Sequence, residues 1–184
     1  METTNIKSST KSEMINWLAN SKELNLSYGL TVMPKKVFYK QVAKTRYLSD
    51  GKIYRHLNKQ ELECANKRLV HYINKVIYKN AYIRNNKRIN IVGVIEGDNS
   101  STIDLHTHFI LEKPDTYTDE EFSVAIKQAL CFSGDFDITN PNYKPNVDGL
   151  DRQFRYKLEQ IDNGWSGYIT KKLDKLSLNN LYMF

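Results

Sequence analysis

The sequence predicts an α+β domain in which helices pack on one antiparallel sheet, and three observations carry that expectation. Short runs of strand-forming residues, bounded by Gly, Pro and Asn, occur at Ser27 to Met33 (SYGLTVM), Ile89 to Glu96 (INIVGVIE) and Ile103 to Glu112 (IDLHTHFILE). Between the first and second of these, Leu62, Ala65, Leu69, Ile73 and Val76 recur at steps of three and four, the period of an amphipathic helix. With 184 residues, 40% hydrophobic and 26% charged, the chain is sized for one domain with an ordinary core.

The elements follow in order. Met1 to Lys11 is polar and rich in Ser and Thr, a flexible tail of a single domain spanning 1–184. Ser12 caps a short helix that places Ile15 and Leu18 on one face. The first strand ends at Pro34, and a basic connector runs from Lys35 to Leu57. Asn58 with Glu61 three residues on resembles a capping box and starts a helix to about Lys79. The second and third strands form a hairpin around Gly97 to Thr102, and the third stops at Lys113-Pro114. Thr118, followed by three acids, starts a helix to about Phe132. An irregular stretch from Ser133 to Asp151 holds a short strand at Phe136 to Thr139. Gln153 to Ile161 is a further strand, and Asn163-Gly164 precedes a last helix from Trp165 to about Lys175. The order β-α-β-β-α-β-α is that of a split βαβ, ferredoxin-like sheet with an appended C-terminal helix.

Composition narrows the function classes. The net charge of +6 favours polyanionic partners. Cys64 and Cys131 have no metal-ligand spacing and read as reduced thiols of a cytoplasmic protein. No run reaches the ~18 apolar residues of a membrane helix, and no signal peptide is evident. A G-x-x-x-x-G-K-[ST] phosphate loop is missing, so no ATP-driven helicase is fused to this chain.

Chemistry concentrates on the third strand. His106 and His108 are two residues apart, so both face one side of the sheet with Cα atoms roughly 6.5–7 Å apart. A hairpin that sets Glu96 opposite Asp104 brings Glu96 to the same side. Glu96, His106 and His108 then form an O/N/N set suited to Mn²⁺ or Mg²⁺ and a phosphate oxygen, with Asp104 as the alternative carboxylate. A one-residue change of register would turn Glu96 away. Tyr168 lies on the last helix with Lys171 three residues on, an arrangement in which an ammonium steadies an attacking phenolate. Packing of Tyr168 with Trp165 and Leu173 in the core is the competing reading. His56 and His71, without partners at ligand spacing, read as structural.

These pieces together resemble the HUH-superfamily single-tyrosine endonucleases, the rolling-circle replication initiators. Gly29-Leu30-Thr31-Val32, His106-Thr107-His108 and Tyr168-Ile169-Thr170-Lys171 stand in the order of that family's three motifs, over roughly Ser27 to Asp174. Thr107 departs from the bulky apolar residue usual between the histidines, and no second tyrosine lies a turn from Tyr168. The resemblance implies a divalent ion on His106, His108 and an acid such as Glu96. It also implies attack by Tyr168 on a DNA phosphate, a 5′-phosphotyrosine intermediate and phosphate positioning by Lys171. The expected partners are single-stranded or hairpin origin DNA and a separate host helicase and polymerase. The same chemistry serves relaxases and single-tyrosine transposases, although relaxases usually carry a third histidine and an N-terminal tyrosine. A basic nucleic-acid-binding module without catalysis is the alternative from another class. Lys35, Lys36, Lys40, Lys44, Arg46 and Arg55, interleaved with Phe38, Tyr39, Tyr47 and Tyr54, either grip phosphates and stack bases or form a solvated face.

Overall fold

A computed structural model describes residues 25–35, 57–97, 105–138 and 156–161 in full, and 37–40, 52–55 and 181–183 as backbone. Among these residues the arrangement is α+β: a five-stranded antiparallel sheet, a separate two-stranded ribbon, two long helices and one short one. The strands are β1 (Leu26–Val32), β2 (Val37–Lys40), β3 (Lys52–Arg55), β4 (Ile91–Glu96), β5 (His106–Glu112), β6 (Tyr156–Gln160) and β7 (Leu181–Met183). The helices are α1 (Lys59–Tyr78), α2 (Asn80–Arg84) and α3 (Asp119–Ser133).

The large sheet runs β6-β1-β5-β4-β7, with every neighbouring pair antiparallel. β1 and β4 therefore point the same way with β5 between them, and α1 lies in the connection that joins them. β2 and β3 pair within what the sequence reads as a plain connector, Val37 opposite Arg55 and Lys40 opposite Lys52.

Local chemistry explains the helix ends. Asn58 accepts from the Glu61 amide while the Glu61 carboxylate accepts from the Asn58 amide, each at 2.9 Å, closing the expected box. Thr118 and Glu121 repeat the device at α3. α3 stops at Gly134, whose φ of +71° lies in the left-handed region that glycine enters without a Cβ clash.

The buried stripe of α1 includes Leu62, Ala65, Leu69 and Ile73 as expected, with Val70 and Ile77 added and Val76 only partly buried. It meets Phe122, Ile126 and Leu130 of α3 over Leu30, Val32, Phe109 and Leu111 of the sheet. The Tyr28 ring lies 5.0 Å from that of Phe122, tilted by 58°. β4 begins two residues later than the sequence reading has it, because the Ile89 amide donates to Asn74 Oδ1 and the Asn90 amide to Glu112 Oε2. Beyond Val32, the chain extends β1 by one bridge, Pro34 to the fully buried Phe136, where the short strand at Phe136 to Thr139 is expected. Among the described residues of the expected strand, Tyr156–Gln160 form β6, at one edge of the described sheet, and Ile161 lies beyond it. His71 lies on α1 with Nδ1 3.1 Å from the Tyr82 hydroxyl, tying α2 to α1 in the structural role expected of it. No helix among the described residues is long and apolar enough to cross a membrane.

Candidate metal centre

β5 distributes its side chains by parity. Thr107, Phe109 and Leu111 face the helices, and His106, His108 and Ile110 face the other side. Thr107 is fully buried, and its hydroxyl is 3.0 Å from the amide nitrogen and 3.1 Å from the amide oxygen of Asn66 on α1. A polar residue between the histidines is thus accommodated by a polar partner on the helix above it.

The hairpin register differs from the expected one. Glu96 stands opposite His106 rather than Asp104. The shift is two residues, one full side-chain period, so Glu96 keeps its face. Its carboxylate oxygen Oε2 lies 3.4 Å from His106 Nε2 and 3.5 Å from His108 Nε2. The imidazole rings sit edge to face, 4.8 Å between centroids. One ligand atom from each of the three residues lies within 4.8 Å of the others. Cis ligands held ~2.1 Å from one ion are ~3 Å apart, close to two of these separations. The donors, one carboxylate and two imidazoles, suit a divalent ion of the Mn²⁺ or Mg²⁺ kind as well as softer ones.

Burial sharpens the point. Glu96 is 4% exposed and His108 3%, with His106 at the more open end of the strand. A carboxylate taken out of water is costly unless something compensates it. Val94 and Ile110 are buried on the same face of the sheet. Behind His108, Thr31 of β1 stands directly opposite in register, with Oγ1 2.8 Å from Nδ1.

The other expected site residues are distributed differently. Tyr168, Lys171 and Asp104 lie outside the described residues, as do Lys36, Lys44, Arg46 and His56. Lys35 is exposed, and its Nζ donates to the Gly134 carbonyl at 3.1 Å. Lys40 and Arg55 belong to the β2–β3 ribbon. Thr31, which the sequence reading places only within the first motif and gives no role, adjoins the site, whereas Asn66, which it does not single out, lies behind Thr107 on the opposite, helix-facing side. Thr31 gives one faint signal, a hydroxyl in an otherwise apolar GLTV run; Asn66 gives none beyond interrupting the helix stripe.

Fold and site together define an α+β domain with a buried Glu-His-His group that could hold a metal ion. Set against protein families, curated proteins and solved structures, the chain has no match.

Proposed function

We propose that this protein nicks and rejoins single-stranded DNA as an HUH-type endonuclease, through a tyrosine and a divalent ion. The observation that carries the reading is the convergence of Glu96, His106 and His108 at adjoining strand ends, with His106 and His108 on one strand. Further support comes from topology. β6-β1-β5-β4 reads as fourth, first, third and second strand, the order of a split βαβ, ferredoxin-like sheet. The chain leaves that sheet at Gln160 on one edge and returns at Leu181 on the other, so Tyr168 and Lys171 belong to the segment joining the two edges.

Glu96, His106 and His108 would hold the ion, whose chemistry, when bound, would be to draw charge from a nonbridging oxygen of the scissile phosphate. Tyr168 Oη attacks phosphorus in line, the bond to the 3′ oxygen breaks, and the phenolic proton is released as the departing oxygen takes one up. Lys171 steadies the charge that develops. The protein remains joined to the 5′ end, and the free 3′ hydroxyl primes rolling-circle synthesis by a separate helicase and polymerase. Rejoining reverses the exchange with no ATP. Lys35, Lys36, Lys40, Lys44, Arg46 and Arg55 hold the flanking strand.

The test is incubation with labelled single-stranded origin fragments and Mn²⁺, followed by denaturing electrophoresis. A band resistant to boiling in detergent is expected, lost in Tyr168→Phe while DNA binding persists. Cleavage without an adduct would indicate a water nucleophile and an ordinary metal nuclease. Binding without cleavage would indicate a nucleic-acid-binding module instead.

A further inference from the structure

We infer that Thr31 is the positioning residue that sets His108 as a metal ligand, its hydroxyl accepting the Nδ1 proton so that the Nε2 lone pair faces Glu96 and His106. The inference rests on the metal-binding part of the reading above, and on no step of DNA cleavage.

Neutral imidazole carries one proton and can keep it on either nitrogen. An imidazole that ligates through one nitrogen must carry its proton on the other, and the acceptor for that proton decides which nitrogen is free. In His108, Nε2 is the atom directed at the Glu96 carboxylate, 3.5 Å away. Nδ1 points the other way, to Thr31 Oγ1 at 2.8 Å. His108 is 3% exposed, so water cannot readily replace a missing acceptor.

The backbone makes this contact a fixed one. Thr31 and His108 are cross-strand partners in the β1–β5 ladder, between the pairs Leu30–Phe109 and Val32–Thr107. Both of those pairs lie in the core layer under the helices. A β-branched threonine in a strand has few χ1 choices, which limits where its hydroxyl can go. The hydroxyl therefore meets Nδ1 through the register of the sheet and not through a flexible side chain.

The experiment compares wild type, Thr31→Val and Thr31→Ser by calorimetric titration with Mn²⁺. Valine keeps the shape and removes the acceptor; serine keeps the acceptor. Thr31→Val should bind Mn²⁺ on the order of 10–100-fold more weakly, the usual cost of losing such an outer partner, and Thr31→Ser within a few-fold of wild type. A measurement on the unsubstituted protein guards against misfolding of the variant. In Zn²⁺-loaded protein labelled with ¹⁵N-histidine, long-range proton–nitrogen spectra should show the His108 proton on Nδ1. Equal affinity of Thr31→Val and wild type, equal weakening in valine and serine variants, or a proton on Nε2 would each overturn the inference. If wild type binds Mn²⁺ no better than the His106→Ala/His108→Ala double variant, the metal reading fails and takes this inference with it.

Discussion

The two faces of the central sheet bury different things. Under the helices, Leu30, Ile91, Phe109 and Leu111 form a continuous apolar layer, with Asn66 and Thr107 bonded to each other within it. On the opposite face, Val92, Val94 and Ile110 are equally buried but share the surface with Glu96 and His108. A single seven-residue strand, β5, contributes to both. Burying Phe109 adds a hydrophobic contribution to folding, whereas burying a carboxylate beside two imidazoles subtracts from it unless an ion or hydrogen bonds compensate. Stability and chemistry are thus separated by side-chain parity, and substitutions one residue apart should report on different properties.

The largest expected effect tests that separation directly. Phe109→Ala should lose about 3–5 kcal/mol of folding free energy, a large part of the ~5–15 kcal/mol typical of a domain. The His106→Ala/His108→Ala double variant should lose less folding free energy than Phe109→Ala without metal, yet show no Mn²⁺ heat by calorimetry. Equal destabilisation of the two variants in urea would erase the distinction between the faces.

A smaller effect sharpens the same contrast inside the apolar layer. Asn66→Ala leaves the Thr107 hydroxyl buried without its amide partner, at a cost of roughly 1–3 kcal/mol. Combining Asn66→Leu with Thr107→Val should recover most of that loss, because the pair is removed together. Additive losses in this double variant, measured by chemical denaturation, would mean that the polar bond stabilises the layer beyond satisfying itself.

The smallest effect is a change of slope at high pH. Burial and a hydrogen bond to Asp119 push the Tyr28 phenol up to about 12 in the folded chain. A folded value above the unfolded one gives stability that is complete below about pH 10 and is lost as pH rises towards 12. Tyr28→Phe should therefore flatten the decline in stability between about pH 10 and 12. An unchanged slope would show that the Tyr28 phenol does not couple the end of β1 to α3 in this way.

Much of this architecture can be read from local residues. The Asn58–Glu61 and Thr118–Glu121 boxes place both long helices, and two histidines spaced by one residue necessarily share a face. The assignment of Glu96 survives an incorrect register because the error equals the side-chain period. What escapes the sequence depends on distant pairing. Thr31 and His108 are 77 residues apart, and nothing near either one encodes their contact. The β2–β3 ribbon is obscured because lysines and arginines occupy its ends, hiding its alternation within a basic run. β7 is three residues long, too short to show a period at all.

That short strand has a consequence for self-association. β4 is buried along its whole length and carries Ile91, Val92, Val94 and Ile95, yet it sits one position from the margin of the sheet. Leu181–Met183 pairs with Val92, Gly93 and Val94, occupying backbone donors and acceptors that would otherwise be open to another chain. An unprotected edge of β-branched residues is a template for intermolecular strand addition. Three residues at the far end of the sequence thus act as a cover against aggregation for a strand laid down nearly ninety positions earlier.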